Sequence, residues 1–287
     1  TLFAGDKRVE TVFTCTGSSA LDNGTHELFE ARGVLSVPWE VAKERTFDLA
    51  IATSRGGDLH RLRTPLIGTP HGAGYNKLLD GGREAFGLTA RWLMHDGRVV
   101  PSAIVLSHDE QLARLAVDCH DAVPLSLVAG DPCFDDLCAS RPFRQSYRDA
   151  LGIRPGQKLV VVSSTWGKGS VLDSARPDED VLRRALAELP ADEYRVLAAI
   201  HPNAWYGHGA WQLQSWLAPL RERGLLLPAP ESDTWKAALL AADAVCGDHG
   251  SLTLYGVALG VPTVLGSFAE EKVAPSSPMA RLGALVP

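Results

Sequence analysis

At 287 residues, 45% of them hydrophobic, the chain can bury the core of one large domain or of two ordinary ones. Its formal net charge of −6 and pI near 5.8 argue against a general nucleic-acid binder, which carries a basic stripe to neutralise phosphates. An anionic ligand would have to be held by local groups rather than by an overall field.

Taken in chain order, "TLFAGDKRVETVFT" reads as the end of a helix running into a strand, so an opening strand is expected to be missing. Short apolar or β-branched runs then recur: "RVETVFTCT", "FDLAIATS", "TPLIGTPH", "SAIVLSH", "LSLVAGDP", "KLVVVSST", "YRVLAAIHP", "ADAVCGDH" and "VPTVLGSF". Continuous runs of this kind, alternating with segments of helical period, indicate parallel strands covered on both faces. The fold class is therefore α/β, with Rossmann-like units. "HDEQLARLAVD" is a helix with Ser107 as its cap and acids in its first turn, and "SDTWKAALLAAD" is one with Ser232 and Asp233 at the capping positions. Asp178-Glu179-Asp180, the one D-x-D match, reads as an acidic helix start rather than a metal site.

The polar stretch from Gly130 to Gln157, with Pro132, Pro142 and Pro155, separates two strand–helix blocks. A boundary near Ala139 gives domains 1–139 and 140–287, with "RPFRQSYRDALGI" as the first helix of the second. Two such domains leave a cleft between the carboxyl ends of their strands, where these sheets bind ligands.

The five cysteines (Cys15, Cys119, Cys133, Cys138 and Cys246) contain no C-x-x-C pair, and no second pair completes the ligand-like spacing of Cys246 and His249. They read as reduced thiols, and no metal is expected. No run approaches the roughly 18 apolar residues of a membrane span, and no signal-peptide pattern opens the chain. The expectation is a soluble, cytoplasmic protein without an integral membrane segment.

The unusual residues fall at the expected strand ends. These are His71-Gly72-Ala73-Gly74-Tyr75-Asn76-Lys77, Thr165-Trp166-Gly167-Lys168-Gly169-Ser170, His201-Pro202-Asn203 and Gly247-Asp248-His249-Gly250-Ser251. Each has a plain structural reading: glycines make turns, a lone histidine such as His71 or His201 is commonly a hydrogen-bonded structural residue, and Ser251 can be a helix N-cap. The functional reading rests on the set. "GDHGSL" ahead of "TLYGVALG" offers free backbone N–H groups at a helix start, a hydroxyl and small residues, which suit a phosphate. "STWGKGS" adds a lysine and more amides, but it lacks the P-loop spacing, and the Rossmann G-x-G-x-x-G fingerprint is absent as well. His26, His60, His95, His108, His120 and His208 belong to no constellation.

In order, "HGAGYNK", "GDPCFD", "SSTWGK", "IHPN" and "GDHGS" resemble the motifs of the CDP-glycerol glycerophosphotransferases that build teichoic-acid-like polymers. The resemblance runs across nearly the whole chain and implies the two-domain GT-B fold. It implies His71 as the general base on an acceptor hydroxyl and His201 as the group facing the leaving phosphate. Asp248, Ser251 and the neighbouring His249 and Gly250 would hold the phosphates of a CDP- or UDP-linked donor, beside Thr165, Trp166 and Lys168, with Gly72, Lys77 and Asn203 in the same cleft. Nothing in this scheme calls for a cofactor, and the partners implied are a nucleotide-activated small molecule and a hydroxyl acceptor; peripheral membrane association is compatible with the family.

Departures are visible. "HGAGYNK" has one residue more between histidine and lysine than the family loop, and Cys133 and Gly167 stand where the family has arginines. Gly250 replaces the first serine of the last motif, and Lys168 partly compensates for a lost arginine. Two lost arginines at a phosphate site point to a different donor or acceptor. The expected function is transfer of a sugar or polyol-phosphate group from a nucleotide-activated donor. The alternatives are a non-hydrolysing UDP-N-acetylhexosamine 2-epimerase and a nucleotide-binding protein that kept the fold without catalysis.

Overall fold

The computed structural model describes residue 3 and residues 5–18, 24–78, 85–173, 180–230 and 234–286. Ser232, Asp233, Asp178 and Glu179 lie outside these residues. Every apolar run after the first forms a strand. In chain order these are β1 (Ala50–Ala52), β2 (Leu66–Gly68), the hairpin strands β3 (Met94–His95) and β4 (Arg98–Val99), β5 (Ala103–Leu106), β6 (Ser126–Val128), β7 (Lys158–Ser164), β8 (Tyr194–Ile200), β9 (Ala244–Gly247) and β10 (Thr263–Leu265).

They make two four-stranded sheets, ordered β1-β2-β5-β6 and β10-β9-β7-β8. All pairings within both sheets are parallel. The β3–β4 hairpin turns through Asp96 at φ 48 and Gly97 at φ 74. Two successive positive φ values are what a two-residue turn between right-twisted strands requires, and an Asp-Gly pair supplies them with little strain.

The run "RVETVFTCT" does not form a strand; only Phe13 pairs, in an isolated parallel bridge with Ser36. Charged residues and threonines break its apolar pattern, so it cannot bury two faces as a central parallel strand must. Ser107 does not cap the helix Asp109–Asp118. His108 holds that position, and its Nδ1 accepts the Glu110 N–H at 3.1 Å. Asp180 does cap the helix Val181–Glu188, accepting from the Leu182 and Arg183 amides.

The second sheet is covered on both sides. Leu159 and Val161 of β7 and Leu197 of β8 pack with Leu239, Ala241 and Tyr255. Val162, Val196 and Ala198 face the other way, against Leu182, Leu213 and Leu217. The first sheet buries Ile104 and Leu106 beneath Leu115 of the helix Asp109–Asp118. Its opposite face is only partly covered by the described residues, short of the expected two covered faces: Ile67 and Val105 on the central strands are half-buried, whereas Ile51 and Leu127 on the edge strands are 45% and 63% exposed. The helix Thr25–Arg32, which precedes β1, has no buried residue and no apolar stripe to lay on that face.

The helix Pro132–Ser140 spans the expected boundary at Ala139. Its Leu137 is fully buried in the core of the second sheet, and Asp131 at its N-cap accepts the Tyr255 hydroxyl at 2.8 Å. The chain has therefore joined the second sheet before residue 139. Asp243, just ahead of β9, ties the following helix to this sheet by accepting from Arg144, Arg148 and the Leu159 amide. No helix among the described residues is long and apolar enough to cross a membrane.

Because Leu137 sits in close-packed surroundings, Leu137→Ala should lower unfolding free energy by about 2–5 kcal/mol in urea titrations. Val117→Ser on the exposed side of a helix, where Val117 is 85% accessible, should change it by less than about 0.5 kcal/mol.

Candidate functional site

The carboxyl ends of β7 and β9 are joined by one carboxylate. Asp248 is fully buried. Its Oδ2 accepts the Thr165 amide at 2.7 Å, the Thr165 hydroxyl at 2.8 Å and the Val171 amide at 3.2 Å. Its Oδ1 accepts the Gly250 amide at 3.1 Å. A buried carboxylate is tolerated only with donors of this number, and charge-assisted bonds make it a strong tie. Asp248 and Thr165, expected on the phosphates, thus direct these polar atoms at each other and build the floor of the site. Gly250 follows from the same packing: a Cβ there would stand 2.6 Å from Thr165 Cγ2. The serine of the resembling motif has no room at this position.

Ser251 is the first residue of the helix Ser251–Ala258, not its cap. Gly250 occupies the N-cap without a side-chain bond. The Ser251 Oγ accepts instead the N–H of Ala73, at 3.1 Å, from the loop that follows β2. This contact needs Gly72, whose φ is +77 and where a Cβ would lie 2.4 Å from Ser251 Oγ. The two halves therefore touch where two of the singled-out segments meet.

The His71–Lys77 loop is held from behind and from one side. Tyr75 is buried; its hydroxyl accepts from Arg55 at 3.2 Å and its carbonyl from Arg114 at 2.6 Å. The Asn76 side chain donates to the Ala73 carbonyl, and its backbone carbonyl accepts the Ala274 amide at 2.7 Å. Lys77 forms an antiparallel bridge with Val273, and the Leu78 amide donates to the Lys272 carbonyl at 2.9 Å. A strap near the C-terminal end of the chain thus runs along this loop.

The basic side chains of these segments act on one another. His71 is solvent-accessible yet walled by protein, as a cleft residue is, and this desolvation together with the Lys77 charge lowers its pKa. Burial, Lys77 and His71 lower that of His201 to about 4. His201 Nδ1 accepts the Asn203 amide at 3.1 Å, which assigns the proton of the neutral ring to Nε2. His249 is only 5% exposed, and its Nδ1 has no hydrogen-bond partner among the described residues. Burial lowers its pKa against the pull of Asp248, and Lys77 and Lys272 lower it further. Burial also lowers the pKa of Lys77, opposed by Asp248; its ammonium lies 6.0 Å from the centroid of Trp166.

His71, Lys77, His201 and His249 are thus near enough to act on one another's protonation, and Lys77 reaches over Trp166 from the loop whose Ala73 amide meets Ser251. Asn203 is buried beneath His201. Lys168 points outward and is exposed; its carbonyl, not its ammonium, joins the site by accepting from Lys272. The sequence reading missed Lys272, and it placed Asn76 in the His71–Lys77 stretch without giving it a role. No motif marks Lys272, which lies in "AEEKVAP" beyond the last strand and arrives through pairing of distant segments.

No protein-family model matches the chain, and no curated protein matches it. Among solved structures, the wall teichoic acid polymerase TagF aligns with a TM-score of 0.55 and 13% identity, over 88% of this chain and 68% of that one. The fold is of the GT-B type. A variant of the same polymerase soaked with CDPG aligns over 92% of this chain and 72% of that one, at 13% identity and a TM-score of 0.54. The Anabaena protein Alr3699/HepE in complex with UDP gives a TM-score of 0.46 at 16% identity, over 88% and 72% of the two chains. In this GT-B frame the four singled-out loops all sit at carboxyl ends of strands, the ligand-binding side of parallel sheets.

Two outcomes follow from this geometry. Asp248→Asn places an amide N–H₂ against buried donors and should destabilise the protein by about 3 kcal/mol or more in denaturant titrations. His201 has a folded pKa of about 4 below its ordinary 6.5, so the unfolded chain binds the proton more tightly. Its contribution to stability is complete above pH 6.5 and is lost as pH falls toward 4. His201→Gln should flatten the pH dependence of urea midpoints across that window, and an equally steep profile would refute the shift.

Proposed function

We propose that the protein is a transferase that moves a sugar or polyol-phosphate group from a CDP- or UDP-linked donor to an acceptor hydroxyl. The observation that carries this reading is the contact of the His71–Lys77 loop after β2 with the Ser251 helix start after β9, with His201, after β8, near enough to feel His71 and Lys77. An acceptor held on the first half and a donor held on the second would then face each other across one cleft. The GT-B fold shared with TagF supports the class of reaction.

In the proposed step the acceptor O–H gives its proton to His71, which depressed basicity keeps unprotonated and ready at neutral pH. The acceptor oxygen forms a bond to the transferred group as the bond to the leaving nucleotide phosphate breaks. Charge develops on that phosphate oxygen. His201 Nε2–H, the amides at the start of the helix Ser251–Ala258 and Lys77 are the donors for it. With a pKa of about 4, His201 donates a hydrogen bond rather than cycling as an imidazolium. Asp248 and Thr165 take no chemical part in this step and hold the two donor-side loops in register.

His71→Ala and His201→Ala should each lower transfer by about 10²–10⁴-fold, with thermal unfolding measured alongside to show that each variant is folded. Donor consumption in the presence of hydroxyl acceptors is the assay, and unchanged turnover in either variant removes that residue from the mechanism. Calorimetric titration with CDP and UDP tests the donor site itself; no binding at millimolar concentration would overturn the reading.

A further inference from the structure

The segments that resemble a phosphate-binding family lack two of its arginines, so the positive charge must come from elsewhere if an anion binds. Lys168 does not supply it from the expected place, since its side chain is exposed and only its carbonyl joins the site. Two cations do approach, from other elements. Lys77 comes from the loop after β2, and Lys272 comes from the strap that pairs with that loop. We propose that Lys272, acting with Lys77 and the buried His249, forms the cationic side of an anion-binding site at the start of the helix Ser251–Ala258.

Three independent observations support this assignment. The helix start offers amides without intrahelical partners, and its N-cap residue, Gly250, makes no side-chain cap. His249 is buried beside it with Nδ1 unpartnered among the described residues, and an unsatisfied polar atom in a buried position costs free energy unless a ligand answers it. Lys272 is half-buried and makes no ion pair with a carboxylate among the described residues; its ammonium is fixed by the Lys168 carbonyl, a neutral acceptor. The same-sign groups also press on one another, since Lys272 makes both Lys77 and His249 harder to protonate. A bound phosphate relieves that repulsion, whereas a neutral ligand does not.

The ligand class is a phosphate or diphosphate group. That this group belongs to a nucleotide-linked donor rests on the transferase reading, but the site itself does not. Lysines carried on the first-half loop and its strap, rather than on the donor-side loops, also make anion binding depend on the contact between the two halves.

The test is titration of the whole protein with inorganic pyrophosphate, UDP, CDP and the free nucleosides. Lys272→Gln should weaken pyrophosphate and both nucleoside diphosphates by about tenfold or more, leave any nucleoside affinity unchanged, and be largely rescued by Lys272→Arg. Thermal unfolding of each variant checks the fold. Equal binding by wild type and Lys272→Gln, or an equal loss in Lys168→Gln, overturns the proposal and leaves the transferase reading in place. Pyrophosphate binding that depends on Lys272, with no donor turned over by wild type, overturns the transferase reading and supports this site. Wild-type protein that binds neither pyrophosphate nor a nucleoside diphosphate refutes both.

Discussion

Asp248 is a carboxylate without solvent, and the loops after β7 and β9 are arranged around the donors it needs. Moving an ionised carboxyl into the interior is tolerable only when hydrogen bonds replace its water. Here the replacements come from Thr165, Val171 and Gly250, so the charge fixes two segments more than seventy residues apart. Close packing follows from the charge: Thr165 is drawn in until its methyl group leaves no space for a side chain at residue 250. The glycine that departs from the family motif is thus a consequence of this packing, and it says less about the substrate than the sequence alone suggested.

With Gly250 at the N-cap, this helix start forgoes only about a few tenths of a kcal/mol relative to a serine cap. In return its amides and the Ser251 hydroxyl are available for other contacts. The hydroxyl accepts from Ala73 across the cleft, which it could not do as readily while capping its own helix. That single bond, the glycine at residue 72 and the strap at residues 272–274 together set the distance between the first-half loop and the second sheet. Local capping was sacrificed for a long-range contact, a pattern expected where a binding surface is assembled from both halves.

The strands were readable because they are short, apolar and bounded by turn residues, and the parallel arrangement followed from their continuity. "RVETVFTCT" misled because β-branched residues favour a strand locally, while its charges forbid the two-sided burial that a parallel sheet demands. Ser107 and His108 are both able to accept from a helix amide, and backbone geometry rather than residue type decides which one does. The loops after β2, β7, β8 and β9 could be marked from their glycines, histidines and hydroxyls. The division of labour among them could not, because Asp248 finds Thr165, and Ser251 finds Ala73, only after the chain has folded. Lys272 had no local signal at all, since its place depends on a bridge between Lys77 and Val273.

The distribution of charge in the cleft has a chemical consequence. Desolvation and the neighbouring Lys77 lower the pKa of His71, His201 and His249 alike, which favours the uncharged imidazole at all three positions. An uncharged imidazole has one donor and one acceptor, and His201 already uses its acceptor on Asn203, leaving the donor for the cleft. No hydrogen bond among the described residues fixes the His71 tautomer, so a ring nitrogen can take a proton. The same ring chemistry thus gives opposite roles at two positions, separated by which nitrogen the backbone engages.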